Sequence, residues 1–314
     1  MSAAERVTPL GRPVFRAGRQ MRLVLAALVP GVVTASVVYG PRVPLHLAVA
    51  LITALGCEYL MTRARGADPS VPLADGSVLV LAVLIATAIA PSASVLITVA
   101  AVGIGVVFGK HVYGGLGCNL FNPAMVGYAF VLACFPAELS NWPVPDGSSG
   151  ATLLEYARTQ FALGYLREEV LAEAPVGILG ARGQEIVALA FGLGGLALLA
   201  TRTIHWRIPV ATLSGFLAAA TVAYALDPSR ALGPVTHLFS GSIVLAAFFV
   251  ATDPVSSPVT RRGQLLFGLG VGALVYLVRI AGAYADGVAF AVLMMNASAP
   301  WLDGIGQPYS RRIR

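Results

Sequence analysis

One feature constrains this chain more than any other. Apolar stretches of membrane-crossing size recur from end to end, and a single long polar segment, residues 136–184, interrupts them. A helix needs about 20 consecutive apolar residues to cross the hydrocarbon core of a bilayer. Such a helix satisfies its backbone hydrogen bonds internally, as lipid requires. Only 11% of the residues are charged, against about 25% in a soluble domain. The pattern predicts an all-α polytopic membrane protein and excludes a soluble enzyme. The basic balance, +6 at neutral pH, does not point to nucleic acid, because the cations lie in short loops between apolar runs.

The apolar runs place ten transmembrane helices: Met21–Tyr39, Leu45–Thr62, Gly76–Ala90, Ser94–Gly109, Pro123–Phe135, Ile186–Thr201, Ile208–Leu226, His237–Thr252, Leu265–Ile280 and Gly287–Pro300. Pro30-Gly31 predicts a kink in the first. The third, fifth and tenth are short, with Gly- and Pro-rich ends, as broken helices inside a bundle are. The division is then a cytoplasmic arm (1–20), a first five-helix repeat (21–135), the polar loop (136–184), a second repeat (185–300) and a tail (301–314). The apolar run behind the arginine-rich arm is too long for a signal-peptide core. Cys57, Cys118 and Cys134 form no CxxC pair and are expected as small core residues.

Loop charge sets orientation. With the N-terminus in the cytoplasm, 15 of the 21 Lys and Arg residues fall on that side. The other 6 fall outside: Arg42, Arg158, Arg167, Arg182, Arg230 and Arg279. Both termini are then cytoplasmic and the polar loop is periplasmic.

The halves resemble each other. Residues 76–87 (GSVLVLAVLIAT) match residues 241–252 (GSIVLAAFFVAT) at five of twelve positions. Asn122-Pro-Ala-Met opens the fifth helix as Asp286-Gly-Val-Ala opens the tenth. Five helices is an odd number, so the second copy is inserted upside down. Inverted repeats put binding sites where broken helices meet, which suits a transporter, a channel or a cofactor-bearing pump component.

Three groups of residues carry chemistry. In the polar loop, Thr152 follows Asp146-Gly-Ser-Ser149-Gly150-Ala151. A threonine hydroxyl needs help to react, and the small neighbours leave it open to an external enzyme. Thr152-Leu-Leu-Glu155 is equally a capping box that opens a helix. Gly114–Asn122 holds Asn119 and Asn122 in a glycine-rich turn. These amides can face a flat heterocycle, or simply cap the helix behind Pro123. Glu58, Asp253 and Asp286 are acids in apolar surroundings, where ionisable groups are functional candidates by default. Asp253 and Asp286 are candidates for an ion path, or else sit in wet turns at helix ends. Glu58 has the alternative of pairing with a loop arginine. Lys110-His111 and His205 are placed at the cytoplasmic interface, and His237 at the outer start of the eighth helix, with no metal role.

Four motifs, taken together and in order, are more specific. Asp146 to Thr152 resembles the flavinylation pattern D-x-x-(S/T)-x-A-T. Gly114–Tyr128, Phe248–Pro258 and Asp286–Leu293 resemble signatures of one family. That family comprises the D subunit of the Rnf electron-transport complex and the related B subunit of the sodium-pumping NADH:quinone oxidoreductase. The resemblance covers about Arg16 to Pro300, and length favours the Rnf member of the pair. The loop before Asp146 is shorter than is usual there, and Leu153 stands where proline is frequent.

The resemblance implies a flavoprotein subunit in the bacterial inner membrane, inactive alone. FMN would be esterified through its phosphate to Thr152 by a separate flavin transferase. Asp146, Ser149, Gly150 and Ala151 would complete the attachment motif. Riboflavin would lie near Asn119 and Asn122. The partners implied are the A, B, C, E and G subunits and membrane lipid. Together they would couple electron flow between NADH and ferredoxin to Na+ or H+ translocation. The sequence holds no NADH fingerprint and no iron–sulfur cysteine cluster, so those tasks would fall to other chains. The alternative is a solute channel or transporter on the same scaffold, since fold does not fix function.

Overall fold

The computed structural model describes residues 17–143, 149–282, 284 and 286–306. Asp146, most of the N-terminal arm and the tail arginines Arg311, Arg312 and Arg314 lie outside that set.

In the first half, α1 (Ala17–Tyr39) and α2 (Arg42–Ala64) are long. A short α3 (Ser70–Ala74) leads to α4 (Ser77–Ala88), α5 (Val95–Ile104) and α6 (Pro123–Cys134). The polar segment folds into α7 (Pro136–Ser140), a hairpin of β1 (Asn141–Pro143) and β2 (Ser149–Ala151), α8 (Leu153–Ala162) and α9 (Arg167–Glu173). The second half holds α10 (Gln184–Ala200), α11 (Arg207–Leu226), α12 (Pro234–Leu238), α13 (Ile243–Leu245), α14 (Arg261–Ala281) and α15 (Val288–Gly306). The fold is all-α apart from the one small hairpin among the described residues.

Five helices are long and apolar enough to cross a membrane: α1, α2, α11, α14 and α15. Their outer faces carry bare aliphatics such as Val37 and Ile52, 80% and 73% exposed. No soluble protein would leave such stripes in water, and lipid is their natural solvent. Of the shorter apolar helices, α4 is almost wholly buried, whereas α10 buries one face and exposes Ile186, Leu189, Leu193 and Leu196 on the other.

The structure departs from several expectations. The tenth helix is not short: α15 runs for 19 residues, through Pro300. The eighth is not one helix. It breaks after α12, turns at Gly241 (φ +94°), and resumes at Ile243 as α13 running into a π-helical segment, Ala246–Val250. The fourth continues as a π-helical segment, Gly105–His111, so Lys110 and His111 lie inside the bundle and not in a loop. Arg279 is likewise buried, in the last turn of α14. Removing Lys110 and Arg279 from the loop tally leaves 14 cations (15 − 1) against 5 (6 − 1), so the bias survives. None of the free cysteines is fully buried, and Cys134 is exposed. A thiol is as comfortable against lipid as in a core, so residue type could not distinguish the two.

Helix pairs approach through glycine. A Cβ on Gly194 of α10 would stand 1.9 Å from the Ala27 carbonyl oxygen of α1, and one on Gly272 of α14 would stand 2.0 Å from that of Thr212 in α11. In lipid no water-driven force holds helices together, so backbone contact through small residues does that task. The α1–α10 contact also clamps the two halves together. Gly194→Val will force these backbones apart at a cost of several kcal/mol, beyond the about 1–3 kcal/mol usual for overpacking. A thermal melt of the detergent-solubilised chain measures this, with exposed Leu193→Val as the control.

Outside the bundle, Leu153, Leu154, Ala157, Val170, Ala181 and Leu232 form a second small core. It fixes α8, and with it Thr152, against the end of the bundle.

Candidate functional site

Thr152 is the N-cap of α8. Its Oγ1 accepts from the Glu155 amide at 3.3 Å, half of the expected capping box. The same residue lines a cavity of about 110 Å3 between α1, α4, α6 and α10. Aromatic side chains of Tyr39, Tyr128, Trp142 and Phe191 form much of its wall, and Tyr39 and Trp142 meet edge to face with centroids 5.4 Å apart. Capping and exposure to a cavity are therefore both properties of one hydroxyl. Gly150 and Ala151 belong to β2, paired to Trp142 and Asn141, so the hairpin aims the chain at Thr152. Ser149 pairs with Pro143 in the same ladder.

The polar end of this cavity is built by Asp286. Its carboxylate accepts from the Ser242 amide at 2.7 Å and from the Ser242 hydroxyl. Arg279 lies 3.4 Å away. The guanidinium also donates to the His237 carbonyl at 2.6 Å and stacks 4.8 Å above the Phe216 ring. Arg279 thus neutralises Asp286 and braces the break between α12 and α13. Sequence reasoning missed it by treating it as a loop cation. Its signal was present: a lone arginine in the apolar run of α14, seven residues before an acid.

A second cavity of about 110 Å3 lies at the other end of the same helices, lined by Asn119, Asn122, Lys110, Ser77 and Asp253 among others. Asn122 is the N-cap of α6. Its Oδ1 accepts from the amides of Ala124 and Met125 at 3.0 and 3.2 Å, and its Nδ2 donates to the Val250 carbonyl at 3.2 Å. Its own amide donates to Asn296 Oδ1 at 3.0 Å, and Asn296 Nδ2 donates to the Ser256 carbonyl at 3.1 Å. Asn122 and Asn296 thus stitch α6, α15 and the π-helical segment together. Asn296, a buried amide in an apolar run, was not singled out in the sequence. Asn119 donates to the Phe121 carbonyl at 3.0 Å. Asp253 closes the turn after the π-helical segment, accepting from the Val255 amide at 3.2 Å and the Ser256 hydroxyl at 2.7 Å.

Glu58 is completely buried and does not pair with a loop arginine. Lys110 Nζ reaches its Oε1 at 2.7 Å and Ser77 Oγ at 3.0 Å, while His111 Nε2 lies 3.0 Å from Oε2. Lys110 lies between Glu58 and the second cavity, whose wall includes Lys110 and Ser77 but not Glu58.

Known proteins resemble this chain over nearly its whole length. The pattern describing the NQR2, RnfD, RnfE family matches residues 7–311. The chain is 44% identical over 330 aligned residues to a protein of Pseudomonas aeruginosa (strain UCBPP-PA14) named as the D subunit of an ion-translocating oxidoreductase complex, covering 98% of this chain and 95% of that one. Proteins of the same name from Alcanivorax borkumensis and Aeromonas hydrophila are 38% and 37% identical, with 98% and 92% of this chain covered and 96% and 92% of theirs. A family pattern that spans nearly every residue, and relatives this similar over nearly their whole length, show that the chain belongs to the NQR2, RnfD, RnfE family.

Proposed function

We propose that this chain is the flavin-bearing membrane subunit of an ion-translocating oxidoreductase complex, with FMN joined through its phosphate to Thr152. The observation that carries the reading is the position of Thr152. Its hydroxyl closes a D-x-x-S-x-A-T sequence and stands at the wall of an aromatic-lined cavity. The residues fit such a group: flat apolar walls at Tyr39, Trp142 and Phe191, with Ser242, Gln184 and Asp286 at the polar end. When bound, FMN supplies the one- and two-electron chemistry that no side chain here can perform. The chain's own part is to present the hydroxyl for esterification, hold the attachment rigid through α8 and the small core beneath it, and exclude water with aromatic walls. Arg279 keeps the Asp286 charge balanced at the polar end of the cavity.

The wider reading follows the family. The ten apolar segments form ten crossings in two inverted five-helix repeats, in keeping with the left-handed glycines Gly76 and Gly241 that open the matched stretches. The polar loop is periplasmic in the inner membrane, and both termini are cytoplasmic. A flavin transferase matures Thr152. The A, B, C, E and G subunits supply NADH and iron–sulfur chemistry, and the assembly moves Na+ or H+. Glu58, Asp253 and Asp286 remain the candidate ion-path acids of this chain.

Riboflavin in the second cavity is the finer proposal. Asn122 caps α6 and ties it to Val250 and α15, so its replacement would disturb the bundle; Asn119, which bonds only within its own turn and to Asp253, is the better probe. Flavin released by denaturing pure protein is expected to fall with Asn119→Ala while thermal stability holds. Release unchanged by that variant, or no release from the parent protein, removes riboflavin from this cavity.

A further inference from the structure

Helices α11 and α14 lie side by side and run in the same direction. A Cβ on Gly268 would stand 2.7 Å from the Ile208 carbonyl oxygen, and one on Gly272 would stand 2.0 Å from that of Thr212. A step of four residues along one helix matches a step of four along the other, so the pair is parallel. Arg207 and Arg261, their first residues, therefore share one end. Arg207 Nη1 meets Gln264 Oε1 there at 3.4 Å.

Four arginines gather at that end. Arg261 and Arg262 open α14, Arg207 opens α11, and Arg202 lies in the turn before it. Arg202, Arg261 and Arg262 are exposed, as is His205. The ion pairs among the described residues join Glu58 to Lys110 and His111, and Arg279 to Asp286, so none reaches this group. Asp303 approaches the turn before Arg261. Its carboxylate is taken up by the Val259 and Thr260 amides at 2.9 and 2.8 Å and by the Thr260 hydroxyl at 2.7 Å. Helix stability does not ask for arginine here, because a first turn favours acids over cations. The loop-charge bias asks for cations somewhere on this side, not for four on one helix pair.

Beside the cations the surface turns apolar. Trp206 is 56% exposed, with the Arg207 guanidinium 5.7 Å from its ring centre. An exposed indole at a span end sits at the level of lipid headgroups. Further along, Val210 of α11 and Leu265, Leu266 and Leu269 of α14 are exposed. Cation, indole and aliphatic follow one another in the order of a phospholipid read from headgroup to chain.

We infer that the shared end of α11 and α14 is a docking surface for an anionic phospholipid. Its phosphate oxygens accept from the arginine guanidiniums, whose fork of donors suits that geometry. Its acyl chains lie along the exposed aliphatics. Free phosphate would meet the arginines but leave the indole and the aliphatics bare, and an acidic protein segment would do the same. The inference is independent of Thr152 and of any flavin.

The test uses the full-length chain with Trp142→Phe and Trp301→Phe, which leaves Trp206 as the one indole of the three. The chain is placed in phosphatidylcholine vesicles containing a minor fraction of brominated phosphatidylglycerol, or the same fraction of brominated phosphatidylcholine. Bromine quenches an indole it touches. The anionic lipid is expected to associate at least about fivefold more tightly, the worth of one interfacial arginine. Adding Arg261→Gln and Arg262→Gln should bring the two lipids level. The same loss of charge at exposed Arg19 and Arg63 should leave the preference in place. The inference is overturned if both lipids quench Trp206 equally in the parent background, or if the Arg19 and Arg63 control loses the preference as fully. It is also overturned if inorganic phosphate erases the preference while chloride of equal ionic strength does not. If the tryptophan replacements prevent folding, the melt of the parent chain decides. Phosphatidylglycerol in the vesicles should raise its midpoint, and Arg261→Gln with Arg262→Gln should cancel that rise. No rise in the parent, or a rise kept by the variant, overturns the docking surface.

Discussion

Protein carrying Thr152→Ala will show no covalent flavin. When the parent chain is made together with a flavin transferase, the peptide containing Thr152 is expected to gain the mass of FMN less water. The subunit should then fluoresce on a denaturing gel, and the alanine variant should be dark. Alanine also removes the α8 cap, at about 1 kcal/mol, so lost fluorescence alone does not separate chemistry from local unfolding. Thr152→Asn does. Asparagine caps as well as threonine or better but has no hydroxyl to esterify. The asparagine variant is expected to melt within about 0.5 kcal/mol of the parent, the ordinary scatter of a tolerated substitution, and to be equally dark. Covalent fluorescence surviving in either variant would sink the attachment site. A bare Thr152 in co-expressed parent protein would do the same, and would shift the balance toward a permeation role.

Glu58→Ala is expected to be the most destabilising single charge change in the chain. It strands Lys110 in the bundle interior with only Ser77 Oγ for company. Breaking a buried pair by removing one partner costs about 3–5 kcal/mol. The melting midpoint of the solubilised chain should fall by roughly 10 °C, at about 2–4 °C per kcal/mol for a chain of this class. Combining Glu58→Leu with Lys110→Met should recover most of the loss, because no charge is then left unpaired. If Glu58→Ala melts no lower than a variant of exposed Glu168, the pair is not holding the bundle.

The cost of that stranded charge explains why this cluster was only half legible. Glu58 stood out at once, as an acid in an apolar run. Its partners did not, because Lys110 and His111 lie 52 and 53 residues away and resemble the basic end of a span. Ordinary α-helical periodicity ends that span near Gly109; the π-helical segment extends it. Arg279 misled for a related reason. Position near a helix end suggested a loop, while burial and its pairing to Asp286 depend on how α12 and α13 fold back beneath it. The cap at Thr152 was legible because it rests on near neighbours in the chain. The cavity beside it was not, since its walls come from α1, α4, α6, α10 and the segment after Gly241.

Local order along the chain therefore decided the class of fold, the positions of the apolar helices, the cap at Thr152 and the family. These depend on the solvent each stretch can tolerate and on contacts within a turn or two. Only the packed bundle decided that Glu58 meets Lys110, that Asn122 is tied to Asn296, and that the rings of Phe191 and Phe249 meet edge to face. Those contacts join residues 52 to 174 positions apart, and they arise because glycines let particular helices touch backbone to backbone. No periodicity in the sequence encodes which glycine faces which carbonyl, so that choice belongs to the tertiary structure.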